Sequence, residues 1–238
     1  MSHLHIATRG IGCWRSRLTH SDGQWGSEAS AFEAAVSWEW ASQQPSGLPE
    51  PVERMFRVGD FGDPVLLMAV AGHQVPVLGF GGGSKCDLWA LLQTTAGAAS
   101  LTVEVIARES FGFGTLRERL VGHTPRATAD RERRWEFMRT HLPTAGPDAY
   151  MDVAYPLLHR CAAAVAEARR FRLKHAAFIV QAFGSPPERF EAFARFCSAI
   201  NLTIERNALA SVRVGEITLG IGWVDCPFAT DSQVACTA

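Results

Sequence analysis

Two carboxylates stand out by type and spacing. Asp87 opens the apolar run Asp87–Thr94, and Glu104 lies inside the next one, Leu101–Ala107. Acidic side chains on neighbouring strands can hold a hard divalent cation through oxygen, and such a cation lowers the pKa of a bound water. A lysine nearby would orient that water and steady charge developing on a phosphate. The position that would complete Glu-x-Lys is Ile106, which neither donates a hydrogen bond nor carries charge.

The elements that would position these groups follow from the pattern around them. The two runs have strand length and are separated by a loop rich in Thr, Ala and Gly, which predicts a hairpin with its turn near Ala96–Ser100. Antiparallel partners keep a constant index sum, so Asp87 falls roughly opposite Glu104 to Ala107. Along the second strand Glu104, Ile106 and Arg108 share one face, and Val103, Val105 and Ala107 the other.

Composition narrows the class. A chain of 238 residues with 47% hydrophobic and 20% charged residues is long enough for one large domain with a buried core. A formal net charge of -1 gives no global basic signature, so a nucleic-acid surface would have to be a local patch. Cys13, Cys86, Cys161, Cys197, Cys226 and Cys236 are scattered without a C-x-x-C pair, which argues against a zinc site and a disulfide framework and for reduced thiols in the cytoplasm. The start of the chain lacks the basic-then-apolar order of a signal peptide, and no apolar run approaches the roughly 18 residues of a membrane span.

Residues Ser27–Gln44 place Phe32, Ala35, Val36 and Trp40 at helical spacing, with Ser27 or Ser30 as caps. Val65–Ala71 and Val75–Phe80, split by Gly72-His73, read as a hairpin that Gly81–Gly83 ends. A charge-dense segment, Arg117–Arg139, carries a stripe that Leu142 continues from Trp135 and Met138. A helix is expected from Ala154 to Phe171 with Pro156 in its first turn, then a strand at Ala176–Phe183. Ser185 to Glu188 reads as a capping box opening a helix lined by Phe190, Phe193, Phe196 and Ile200. Ser211–Val214 and Ile217–Val224 suggest a terminal hairpin, and Pro227–Ala238 a frayed tail. The expected fold class is α/β, or α+β with a mixed sheet, flanked by helices. The organisation is a single domain over 1–226, comprising an N-terminal helical extension (1–60) and a core (61–226), with a tail at 227–238.

Several stretches carry a resemblance. They are Trp38-Glu39-Trp40, Cys86-Asp87-Leu88-Trp89, Val103-Glu104-Val105-Ile106, Glu109-Ser110-Phe111-Gly112, Tyr155-Pro156-Leu157-Leu158-His159-Arg160 and Leu219-Gly220-Ile221-Gly222-Trp223-Val224. Their order resembles an uncharacterised bacterial domain family with a restriction-endonuclease-like core of the PD-(D/E)xK superfamily. The resemblance spans most of the chain. It implies a mixed sheet flanked by helices, a magnesium ion held by Asp87 and Glu104, and hydrolysis of a nucleic-acid phosphodiester. Lys85, Arg108 or His159 would take over from the lysine that Ile106 replaces, and Pro156 stands where a glutamine is expected.

Other readings stay open beside the nuclease. One is a catalytically inactive module that binds nucleic acid or protein through the same cleft and the arginine-rich segment Arg117–Arg139. Another is a homo-oligomeric scaffold without a ligand. Gly79 to Lys85 partly matches a phosphate-binding loop, but Ser84 and Cys86 break the pattern. Thiol catalysis by Cys86 with His73, or by Cys161 with His159, has no sequence signal for a depressed thiol pKa.

Overall fold

The computed structural model describes residues 10–18, 25–76, 83–112, 114–146 and 148–237. Its centre is a six-stranded mixed sheet in the order β1-β4-β5-β6-β8-β7. The strands are β1 (Val65–Ala71), β4 (Leu88–Thr94), β5 (Gly97–Ile106), β6 (His175–Phe183), β7 (Ala208–Val214) and β8 (Ile217–Cys226). The short strands β2 (Gln74–Val75) and β3 (Ser84–Lys85) form a separate ribbon. β5, β6 and β8 run parallel, and the remaining pairs are antiparallel. Parallel central strands are covered on both faces, which is why β6 is buried from Ala176 to Phe183 and reads as one apolar run.

Helices cover both faces. On one side α1 (Gly12–Leu18), α2 (Ser30–Ala41) and α3 (Glu50–Val58) pack Trp14, Trp38 and Phe56 against Leu101, Val103 and Ile179. On the other, α5 (Pro125–Arg139), α6 (Tyr155–Arg170) and α7 (Pro187–Ala199) pack Met138, Leu158 and Phe193 against Phe178, Val180 and Trp223. A short α4 (Leu116–Leu120) precedes α5. Strand residues alternate between these two clusters because successive side chains point to opposite faces. A Cβ on Gly222 would stand 2.9 Å from the Met55 thioether and Leu209 Cδ1, so the bare backbone of β8 lets α3 and β7 approach.

The expected helices and strands are largely present. The Ser27–Gln44 helix is α2, the Ala154–Phe171 helix is α6 with Pro156 in its first turn, and Trp135 and Met138 form the buried stripe of α5. The sheet is mixed and flanked by helices, as expected. Among the described residues no helix is long and apolar enough to cross a membrane.

Three local expectations are corrected. Among the described residues β1 forms no hairpin with the run after Gly72; it pairs antiparallel with β4, while Gln74-Val75 (β2) pairs with β3, and residues 77–82 of the expected run lie outside the described set. The buried area of a sheet position outweighs the turn signal at Gly72, whose positive φ of 64° instead lets the chain leave the sheet. No capping box opens α7: Pro186 occupies the cap, and the Ser185 hydroxyl is buried without a partner. The reciprocal box stands at α4, between Thr115 and Glu118.

The third correction is the tail. Asp231–Thr237 forms an eighth helix, α8, whose Thr237 carbonyl accepts from the Ile11 N–H at 2.9 Å. Phe228 stacks on Phe183, and Glu33 accepts the Ala229 N–H at 2.7 Å. Truncation after Cys226 should therefore lower the unfolding free energy by on the order of 3 kcal/mol in a urea titration, rather than leave it unchanged as for a frayed end.

Candidate functional site

β4 and β5 form the expected hairpin, with its turn at Thr95-Ala96 rather than nearer Ser100. The register pairs Leu88 with Val103, so Asp87 falls just beyond the strand end beside Glu104. The two carboxylates nevertheless meet different surroundings. Glu104 is 6% exposed on the α6 side of β5, where its Oε2 is ion-paired with the Arg160 guanidinium. Thr102, two residues earlier on that face, donates from Oγ1 to the Arg160 carbonyl at 2.9 Å and anchors the first turns of α6. Asp87 Oδ2 accepts the Val105 N–H at 2.8 Å, and the residue lines a cavity of about 270 Å³ with Ala34 of α2, Val105 and Glu109. Asp87 thus lies against the α2 layer and Glu104 against α6.

The three candidate helpers scatter as well. Lys85 sits in β3 opposite Gln74. Arg108 was expected on the strand face of Glu104, but β5 ends at Ile106, and Arg108 is exposed in a 2.5 Å ion pair with Glu28. His159 does come close, one residue before Arg160 on α6. Ile106 is 1% exposed in the apolar cluster beneath α6, and Pro156 occupies the first turn of that helix, where a missing N–H is tolerated. Among the described residues no three His, Cys, Asp or Glu side chains are grouped to hold a metal ion.

His159 Nδ1 is 2.6 Å from Ser84 Oγ, and its Nε2 is 3.0 Å from Arg160 Nη1. A guanidinium only donates, so Nε2 accepts and the neutral ring carries its proton on Nδ1, which donates to Ser84. Ser84 in turn donates to the His159 carbonyl at 3.2 Å. A serine whose partner nitrogen is already protonated has no base to take its proton, so the Ser84–His159 contact is a latch between β3 and α6. Burial, and then the positive charges of Arg134 and Arg119, push the His159 imidazole down to about 3.

Those two arginines lie in a groove of about 350 Å³ between α4, α5 and the start of α6, with Arg131, Asp130 and Tyr155. Arg119 lies over the Tyr155 ring, 5.7 Å from its centroid, and Tyr155 stands 5.3 Å from the His159 ring. Arg131 donates to the carbonyls of Arg119 and Val121, which ties α5 to the end of α4. A smaller cavity behind it, about 60 Å³, is lined by Arg134 and Tyr155 again and reaches Ser84 and His159. The sequence marked this segment as arginine-rich, but the convergence of Arg119, Arg134, Tyr155 and His159 has no sequence signal because three elements contribute.

Two weaker motifs find no chemistry here. Burial pushes the Cys86 thiol up to about 12 and raises Cys161 further, so neither supplies a thiolate. After Lys85 the chain enters β4 rather than a helix, leaving no helix N-terminus to cap a phosphate; residues 79–82 of that loop lie outside the described set.

A mixed six-stranded sheet between two helical layers, with a buried carboxylate–guanidinium pair beside an arginine-lined groove, defines an α/β protein. The chain belongs to the family described as Domain of unknown function (DUF6946), which matches residues 7–227. No curated protein and no solved structure matches the chain.

Two measurements probe the site. Arg160→Leu leaves Glu104 without its counter-charge at the sheet centre and should cost about 3–5 kcal/mol of stability in urea unfolding, whereas the Glu104→Leu/Arg160→Leu double variant should lose clearly less. The depressed His159 pKa means that the unfolded chain takes up a proton first as the pH falls below its ordinary value. The contribution is complete above about 6.5 and declines as the pH drops toward about 3. Urea midpoints at pH 7 and pH 5 should differ more for the wild type than for His159→Gln.

Proposed function

We propose that the chain is a restriction-endonuclease-like scaffold whose metal chemistry has been replaced by an internal ion pair, and that it works as a module binding nucleic acid through the arginine-lined groove. The observation that carries this reading is the Glu104–Arg160 pair. A buried carboxylate needs a positive partner, and the guanidinium takes the place that a divalent cation would hold in a PD-(D/E)xK nuclease. Of the two carboxylates that would hold magnesium, Glu104 is already neutralised, and Ile106 offers no group to orient a water.

The groove supplies what such a module needs. Arg119, Arg131 and Arg134 share this groove with Asp130 and concentrate positive charge there, on a chain that is almost neutral overall. Tyr155 lines the same groove with Arg119 over its ring, which adds an aromatic group beside the guanidiniums. A reducing, cytoplasmic setting fits this reading, since the described cysteines form no disulfide with one another.

The competing reading keeps hydrolysis, with Asp87 and Glu104 on magnesium; their adjacency in the hairpin register favours it. Fluorescence anisotropy with labelled single- and double-stranded DNA and RNA, over a salt series, separates the two. The binding reading expects affinity that falls steeply with salt, and a salt slope reduced by roughly one for each of Arg119→Gln and Arg134→Gln. It also expects no cleavage with magnesium or manganese. Calorimetric magnesium binding that Asp87→Ala and Glu104→Ala each abolish, together with cleavage, would establish the hydrolase instead.

A further inference from the structure

Another cavity, about 530 Å³, lies away from the groove, at the carboxyl ends of the parallel strands β6 and β8, where Phe183 and Cys226 close it. Crevices outside the carboxyl ends of strands are where open α/β sheets receive ligands, and this volume is in the range of small-molecule sites. Val36 and Trp40 of α2 and Met55 of α3 supply an apolar wall.

The charges around the cavity do not cancel. Glu50 is paired with Arg54 at 2.6 Å, and Asp225 with Arg206 at 2.8 Å. Glu33, 1% exposed, accepts two backbone N–H groups among the described residues, from Glu28 at 2.9 Å and Ala229 at 2.7 Å. No cation among the described residues pairs with it. One buried negative charge on the wall is therefore left to hydrogen-bond donors alone, and a buried charge without a counter-ion favours a cation that enters. A metal ion is a poor match: the remaining carboxylates are committed to arginines, and no ligand group is assembled among the described residues. An organic cation suits the site better, because Trp40 lines the cavity and an indole attracts an ammonium, while the apolar wall receives its body.

We infer that this cavity binds a small organic monocation, an amine carried on an apolar body, with Glu33 as its counter-charge. The inference is independent of nucleic-acid binding at the arginine groove. Calorimetry on the full chain with three matched probes tests it: phenethylamine, the neutral 2-phenylethanol and the anionic phenylacetate. Phenethylamine should bind with a Kd of roughly 0.1–1 mM, about tenfold tighter than the alcohol, and phenylacetate should not bind. Val36→Phe, which fills the cavity, should abolish amine binding. Glu33→Gln should erase the preference for amine over alcohol. Trp40→Leu, which leaves Glu33 and its hydrogen bonds in place, should weaken the amine several-fold with little effect on the alcohol, and it carries the test if Glu33→Gln fails to show a wild-type melting profile. Equal affinity for amine and alcohol, amine binding that survives Val36→Phe, or no amine binding at millimolar concentration would each overturn the proposal.

Discussion

The Glu104–Arg160 pair sets the terms for much of what surrounds it. A carboxylate on the central strand of a covered sheet has no water to stabilise it, and removing one partner of such a pair leaves an uncompensated interior charge. The guanidinium must come from whichever helix crosses that strand, and this fixes the start of α6 over β5. Thr102 adds a second tie to the same turn, and Ser84 with His159 a third, so the β3 ribbon and α6 are held together by polar contacts in an otherwise apolar layer. The same geometry gives Glu104 a cation supplied by the protein itself.

The opposite layer is organised by polar groups of the same kind. Gln181 lies buried on the α2 face of β6, where its Oε1 accepts the Trp38 indole N–H at 2.9 Å and its Nε2 donates to Ser37 at 3.1 Å. Glu33 accepts N–H groups from the turn before α2 and from the segment before α8. Hydrophobic burial supplies most of the driving force for both layers, while these few directional contacts select one seating of each helix. The cavity at the ends of β6 and β8 is lined by two such tied elements, α2 and the C-terminal segment.

Much of the architecture was legible along the chain. Apolar period marked α2, α5 and α6, continuous apolar runs marked β4, β5 and β6, and Pro156 marked the start of α6, because these signals report burial and backbone geometry residue by residue. The hairpin register brought Asp87 alongside Glu104 for the same local reason. The pairing of β1 was misread: strand partners outside a hairpin depend on the whole sheet, and a turn signal at Gly72-His73 says only that the strand stops. The C-terminal helix was missed since a short polar segment carries little periodicity, and its order comes from Phe183, Glu33 and Ile11 elsewhere in the chain.

The amino-acid sequence by itself determined the α/β class, the placement of its longer elements, the absence of a lysine after Glu104, and an arginine-dense segment without a global basic charge. Those properties are local or additive. Tertiary structure alone decided that Glu104 faces Arg160 while Asp87 faces the α2 layer, that Arg119, Arg134 and Tyr155 share a groove with His159 behind it, and that Glu33 is buried without a cation among the described residues. The partner of a charged side chain is set by which element packs over it. A buried charge takes its character from that partner, and no local pattern in the chain encodes which one it will meet.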